Sequence, residues 1–563
     1  MHVSTQKGLA SAALKLVAVA AFVYMTNSGI VERVILLVDQ ERYRGLTLYA
    51  GLWGFCIGCV LIVAFHPRLH WRLLWATVIG LTTFAGYSFM LVTDSQLTVF
   101  HIISMWTAIA DMDRAVDNYS SQLWQAAGVV AFGFVALVAR PPRLHPAIAR
   151  GTSLLSLTPA IPIIALSAMI TIRIGDDTVA MPQQFVPAAI GAVAGAKLAT
   201  HEQPVKQPLT VDPIRPPAAR HVVLLVDESI TSRFVSLRDD SPVTPFLARS
   251  RDLFADFGEA SSAANCSAET NAILRFGASR GDLRGSMTRS PYLWEFARRA
   301  GFRTVYLDAA ASHIKNPAQL QNFMTLQEKA LIDEYATIEA DSSTGLDLAL
   351  SARIAEILSR PEPHFIYATK NGAHFPYDKS YPVEEARFRP TESESGGDVT
   401  SRHRLNSYRN AVRWSVDVFF ADFLGRADLS RAAVVYTSDH GQNLELGAAT
   451  HCSIQGAHPD EGRVPLFVLS GIDDLETRFA AAARLNFDRA NHFAIFPTLL
   501  DLFGYRPRDH DPAYGPSLFE PIDQPREFVS GDIMGIFSEE LWWNPIAVPG
   551  PEAGTVAPAV AAR

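Results

Sequence analysis

The stretch NCSAET, residues 265–270, brings Cys266, Ser267 and Thr270 close together, three side chains that a neighbouring base or cation can turn into a nucleophile. Charged and imidazole groups recur just after short apolar runs elsewhere in the chain. HVVLLV (221–226) is followed by Asp227 and Glu228, FRTVYL (302–307) by Asp308, HFIYAT (364–369) by Lys370 and His374, and AVVYTS (433–438) by Asp439 and His440. Any one of these is ordinary, because Asp after a strand often caps a helix or forms a turn. Together they suggest a functional rim. Glu228, Asp439 and His440 supply two carboxylates and an imidazole, a mixed set compatible with Zn²⁺. A hydroxyl at an open position of such an ion loses its proton far more readily than in water.

The runs that carry these groups, with VPLFVL (464–469), are short and rich in β-branched residues. They alternate with amphipathic segments such as 344–360 and 407–427, which indicates an α/β domain with a largely parallel, covered sheet. Ligands of such sheets collect at the carboxyl ends of the strands.

The first third of the chain is different. Hydrophobic residues make up 48% of the 563-residue sequence and crowd towards its beginning, where five stretches are long enough to span a bilayer: 12–31, 46–65, 72–93, 121–139 and 153–172. Lys15, Thr26, Asn27 and Ser28 interrupt the first, for which a cleaved signal peptide is the rival reading. The connections 66–72 and 139–150 carry basic residues and no acidic ones, so the positive-inside rule makes them cytoplasmic. Everything after the fifth span then lies outside, in the periplasm if the membrane is a bacterial inner membrane. Within the connection between the third and fourth spans, 102–119 reads as an amphipathic surface helix or a plain connecting helix.

Expected boundaries are a transmembrane bundle of five helices over 1–175, a bridging helix and Pro-rich linker over 176–219, the α/β domain over 220–543 and a disordered tail over 544–563. The net charge of −8 gives no basic field for nucleic acid. Cys56 and Cys59 sit on one face of the second span as membrane thiols, and an oxidising compartment permits Cys266 and Cys452 to pair.

VVLLVDES, NCSAET, KNGAHFPYDKSYP, YTSDHGQNL and NHFAIFPTLLDLFGY occur in an order and spacing that resembles bacterial phosphoethanolamine transferases, membrane-anchored members of the alkaline phosphatase and sulfatase superfamily. The resemblance implies an alkaline-phosphatase/sulfatase-like fold for the C-terminal domain, zinc as cofactor, phosphatidylethanolamine as donor, and lipid A, core oligosaccharide or another envelope molecule as acceptor. Carried onto this sequence it makes Thr270, four residues after Cys266, the nucleophile, and Glu228, Thr270, Asp439 and His440 the zinc ligands. His374 matches the histidine that contacts the phosphoryl or leaving group. Ser267 is then a turn or local hydrogen-bonding residue.

The chain departs from the family pattern in two places. The second cysteine about ten residues after the first is missing, and Arg463 stands where a histidine is usual before VPLFV. His458 is preferred over His451 as the replacement for its proximity, and Arg463 and Lys370 are candidate substrate-binding cations. CSAET lacks the proline and arginine of formylglycine sulfatases, which disfavours that reading of Cys266 or Ser267. Phosphoglycerol transfer, hydrolysis and a non-catalytic membrane sensor are the competing functions.

Overall fold

All five apolar runs of the C-terminal part are strands of one sheet in the computed structural model, which describes residues 2–39, 42–93, 96–97, 112–142, 146–172, 180–200, 206–237, 241–310, 324–506, 514–535 and 540–547. In chain order the strands are β1 His221–Asp227, β2 Ala255–Ser261, β3 Arg303–Asp308, β4 Glu334–Thr337, β5 His364–Thr369, β6 Ala432–Ser438 and β7 Arg463–Ser470. Their order across the sheet is β2-β7-β6-β1-β5-β3-β4. β7 alone runs against the others, pairing antiparallel with β6 and β2. A separate hairpin joins β8 Glu527–Gly531 to β9 Leu541–Pro545.

The alternation along β1 explains why the sheet is covered on both sides. Val222, Leu224 and Val226 enter one apolar core with helix Ser267–Phe276 and helix Ile495–Leu502, while Val223 and Leu225 enter a second with helix Leu346–Leu358 and helix Phe419–Arg426. Register then sets the functional rim. Asp227 lies opposite Ser438 and Val226 opposite Thr369, so Glu228, Asp439 and Lys370 each begin a loop at the same edge. β2 also ends at this edge, and its continuation delivers helix Ser267–Phe276.

β2, β4 and the hairpin were not foreseen. β2 and β4 are edge strands, β2 is irregular between Asp256 and Glu259, and neither has a fully buried face that would leave a period-two apolar pattern. β9 carries ordered chain into the tail expected from 544, and Ile546 beyond it is buried. Residues 548–563 lie outside the described residues.

His221 and His364 begin β1 and β5 at the far edge, stacked with ring centroids 5.6 Å apart and both buried. Burial first, then the neighbouring imidazole and Arg220, push the His221 imidazole down to about 4. Burial likewise lowers His364. The folded state therefore keeps His221 neutral, whereas the unfolded chain takes up a proton below about pH 6.5. Stability present above that pH is lost as pH falls from about 6.5 towards 4, by about 2 kcal/mol for His221. Melting temperatures of the detergent-solubilised protein should decline through this window, and His221→Phe should flatten the decline. An equally steep acid limb in that variant would assign it to other groups.

The chain divides into this C-terminal unit, beginning at Gln203, and an N-terminal helical unit ending at Glu202. Among the described residues of the helical unit three helices are long and apolar enough to cross a membrane: Tyr43–Phe65, Leu69–Val92 and Tyr119–Val138. The first and fifth expected spans are, among the described residues, the shorter apolar helices Ala10–Met25 and Ala160–Ile172. The first stops where its polar residues begin. Thr26 Oγ1 and Asn27 Nδ2 bond the Gln184 side chain at 2.8 and 3.1 Å, and Gly29 (φ +74°) turns the chain into a new helix, Ile30–Asp39. The fifth begins late because 155–159 is a turn.

Cys56 and Cys59 are buried free thiols. The segment expected to bridge forms helix Val186–Thr200. Much of the connection 94–120 lies outside the described residues, apart from Gln96, Leu97 and the start of helix Met112–Val138. The second half of the Pro-rich linker is not free. Ile214 and Ala218 donate backbone hydrogen bonds to Gly504 and Leu502, and Lys206 is buried within the C-terminal unit.

Candidate active site

The rim gathers Glu228, Asp439 and His440, with one ligand atom from each within 4.8 Å of the others. β1 and β6 hold them side by side, and the Asp439 amide donates to the Asp227 carbonyl at 2.8 Å. Ser229, in the left-handed region at φ +61°, folds back so that its amide reaches Asp439 Oδ1 at 3.0 Å and its hydroxyl reaches Glu228 Oε1 at 2.6 Å. That strained conformation is fixed by Tyr408, whose hydroxyl donates to the Ser229 carbonyl at 2.7 Å and accepts from the Thr231 amide at 2.9 Å. On the other side Gly372, at φ +63°, packs against the backbone of Glu228, where a Cβ has no room.

His440 Nδ1 lies 2.7 Å from the Gly441 carbonyl, which assigns that nitrogen the proton and turns Nε2 inward as a lone-pair donor. Nε2 is 3.6 Å from Glu228 Oε1 and 3.7 Å from Asp439 Oδ2. Asp439 Oδ2 is buried without a hydrogen-bond partner, a costly condition that a cation relieves. Burial and then the adjacent Glu228 push Asp439 well above the usual carboxylate range. Burial would raise Glu228 too, but His440 and His374 outweigh it and hold Glu228 low. Two carboxylates so close share a proton or a divalent ion, and the oxygen and nitrogen set fits zinc.

The hydroxyl facing this cluster belongs to Ser267. Its Oγ donates to Glu228 Oε2 at 3.0 Å and lies 3.2 Å from His440 Nε2. Thr270, expected from sequence as ligand and nucleophile, spends its hydroxyl away from the cluster. It lies one turn into helix Ser267–Phe276, fully buried with Ile273 and Leu274, and its Oγ1 bonds the Ala264 carbonyl at 3.1 Å and accepts from the Ala264 amide at 3.2 Å. Counting from Cys266 misses this because helical register, not distance along the chain, decides which hydroxyl stands at the exposed N-terminus. Ser267 is the first helical residue, where the helix dipole favours an anion.

The second histidine also changes. His451 stacks on His440 with centroids 4.5 Å apart and lies 5.8 Å from the His374 ring. Burial, then His440 and His374, keep His451 neutral by pushing it well below the usual imidazole range. His374 Nδ1 contacts the Phe375 carbonyl at 2.6 Å. His458, preferred from sequence, is one-third exposed, caps the turn Pro459–Glu461, and pairs with Asp460 and Glu445 rather than with the cluster. The signal for His451 was its neighbour: Cys452 forms a disulfide with Cys266, which adjoins Ser267.

Neither candidate substrate cation reaches the cluster. Lys370 is fully buried, with Nζ 2.5 Å from Asp227 Oδ2, 3.7 Å from Asp347 Oδ2 and over the Phe419 ring, so it neutralises carboxylates beneath the rim. Arg463 pairs with Glu259 at 2.5 Å and Asp460 at 3.2 Å. Asp308 is occupied by Thr369 Oγ1 at 2.9 Å.

The Sulfatase family description matches residues 220–505, half of the chain and all seven strands of the sheet just described. The chain belongs to the sulfatase family. As a family member it shares its fold with the integral membrane protein lipooligosaccharide phosphoethanolamine transferase A (EptA) from Neisseria meningitidis, at 18% identity over 86% of this chain and 95% of that one, with a TM-score of 0.63. The C-terminal periplasmic domain of EptC from Escherichia coli is 17% identical over 60% of this chain and 96% of that one, with a TM-score of 0.47. No curated protein matches the chain.

Proposed function

We propose that this protein is a zinc-dependent phosphoethanolamine transferase of a bacterial inner membrane, with its catalytic unit in the periplasm and Ser267 as nucleophile. The observation that carries this reading is the Ser267 hydroxyl at 3.0 and 3.2 Å from two members of a carboxylate and imidazole cluster. The fold shared with the Neisseria protein, whose name gives the transferred group, supports the choice of chemistry within the sulfatase family.

Glu228, Asp439 and His440 would hold the ion with Ser267 as the fourth ligand. Bound there, zinc supplies a Lewis acid that lowers the Ser267 pKa and draws charge from the phosphoryl oxygens. Ser267 Oγ bonds to the phosphorus of phosphatidylethanolamine as the bond to diacylglycerol oxygen breaks, and the serine proton ends on the diacylglycerol hydroxyl. An acceptor hydroxyl or phosphate on an envelope glycolipid or glycan, such as lipid A or core oligosaccharide, then displaces the serine. His374 and neutral His451 flank the cluster as hydrogen-bonding and proton-carrying groups. Apolar helices of membrane-spanning length suit a chain whose donor is a membrane lipid.

Incubation of the zinc-loaded protein with phosphatidylethanolamine should add one phosphoethanolamine to the intact mass and release diacylglycerol. A phosphoglycerol adduct formed instead from phosphatidylglycerol would overturn the donor. Diacylglycerol release with free phosphoethanolamine and no labelled acceptor would favour hydrolysis.

A further inference from the structure

The metal-ligand candidates and His451 are held by different parts of the molecule. Glu228, Asp439 and His440 sit directly at the ends of β1 and β6, in the centre of the sheet. His451 sits in a stretch from Gly441 to His458 that contains no helix or strand and has exposed Leu446 near its middle. Its two ends are tied to the rest of the domain, Gln442 Nε2 donating to the Tyr377 hydroxyl at 2.7 Å, the Ser453 hydroxyl to Glu461 Oε1 at 2.8 Å and the Ser530 hydroxyl to the Ile454 carbonyl at 2.6 Å. Within it the Asn443 amide reaches the Thr450 carbonyl at 2.8 Å and Asn443 Nδ2 reaches the Ala449 carbonyl at 3.1 Å.

The tie to the nucleophile lies one residue beyond His451. Cys452, at φ +59° in the left-handed region, is bonded to Cys266 across a sequence separation of 186. Cys266 is the N-cap of the helix that begins with Ser267. The Cys452 amide donates to the Asn265 carbonyl at 2.9 Å, and Asn265 Nδ2 donates to the Ser453 carbonyl at 2.7 Å and to Glu461 Oε2 at 2.8 Å. One covalent and three polar links thus converge where the nucleophile's helix meets the histidine loop.

We propose that the Cys266–Cys452 disulfide is a positioning device: it holds His451 against His440 beside Ser267, so that opening it disables transfer while the metal ligand set stays whole. The proposal rests on the transferase reading above. A bridge across so long a stretch also stabilises the fold by restricting the unfolded chain, so a loss of melting temperature alone does not test it. Opening by a dithiol is balanced: two electrons and two protons pass to Cys266 and Cys452, which become thiols, and the dithiol leaves as its own disulfide.

The test uses the full-length, zinc-loaded protein and the rate at which Ser267 gains phosphoethanolamine in a single turnover. Cys266→Ala/Cys452→Ala should slow this step by about 10- to 100-fold, the scale of a misplaced catalytic group, with zinc content unchanged. The same pair of substitutions in a His451→Ala background should cost almost nothing further, because the group that the bridge positions is already gone. A purely structural bridge predicts the same fractional loss in both backgrounds, and that result, or an unimpaired rate with the bridge removed, overturns the proposal.

Carbethoxylation of His451 by diethyl pyrocarbonate, mapped by mass spectrometry, separates this inference from the function. It should be slow in the bridged protein and fast after dithiol treatment. Absence of any adduct in the bridged wild type would reject the transferase reading. His451 labelling then decides the positioning claim by itself: a bridge-dependent rate sustains it, and an unchanged rate overturns it.

Discussion

Ser267→Ala should lower turnover by at least about a thousandfold, the scale seen when a covalent nucleophile is removed, while Thr270→Val should retain most of the activity. The two hydroxyls are one helical turn apart and have opposite surroundings. Ser267 Oγ faces Glu228 and His440, whereas Thr270 Oγ1 spends its hydrogen bonds on both polar groups of Ala264 and has no exposure. Valine keeps the shape of threonine but strands the Ala264 amide, which costs stability of about 1–3 kcal/mol. Steady-state rates with a labelled donor, together with the melting temperature of each variant, check the pair. Inactive but stably folded Thr270→Val beside active Ser267→Ala would reinstate the threonine.

Lys370→Met should cost stability rather than substrate affinity. The ammonium is enclosed with Asp227 and Asp347, has no solvent exposure, and also donates to the Ser415 carbonyl. Asp227 is already raised to about 6 by burial, with Lys370 the main counterweight. Removing the lysine leaves uncompensated buried carboxylates, a loss of about 3–5 kcal/mol. Replacing the facing carboxylate as well, in Lys370→Met/Asp227→Asn, should recover part of that loss. Denaturant midpoints of the detergent-solubilised variants read this directly. Unchanged stability with a raised KM for the donor would return Lys370 to a substrate-binding role.

These two residues also show where the sequence was readable. The strand ends and the charged groups after them were plain, because β-branched runs on a doubly covered sheet leave continuous apolar stretches, and Glu228, Asp439 and His440 follow those stretches without an intervening turn. What was hidden is direction. Lys370 follows β5 as Asp439 follows β6, yet its side chain turns beneath the rim into a buried ion pair. Ser267 and Thr270 are equally plausible in a linear motif, and only the helix start at Ser267 separates them.

Contacts between distant stretches were the other blind spot. His458 was nearer than His451 to the start of β7, but the Cys266–Cys452 bridge brings His451 to the nucleophile's helix. Arg463 has the chemistry for a phosphate, and its partners Glu259 and Asp460 neutralise it. In the helical unit the expected spans 12–31 and 153–172 appear as shorter apolar helices for a local reason: Gly29 and the turn at 155–159 interrupt them.

The most direct test of the account is to map the adduct. Zinc-loaded protein is incubated with phosphatidylethanolamine, quenched in acid and digested, and the peptide spanning 265–276 is fragmented to locate the added group. The account predicts phosphoethanolamine on Ser267, absent from Ser267→Ala and from chelator-treated protein and still present in Thr270→Val. The same group on Thr270, or an adduct that persists in Ser267→Ala, would contradict it.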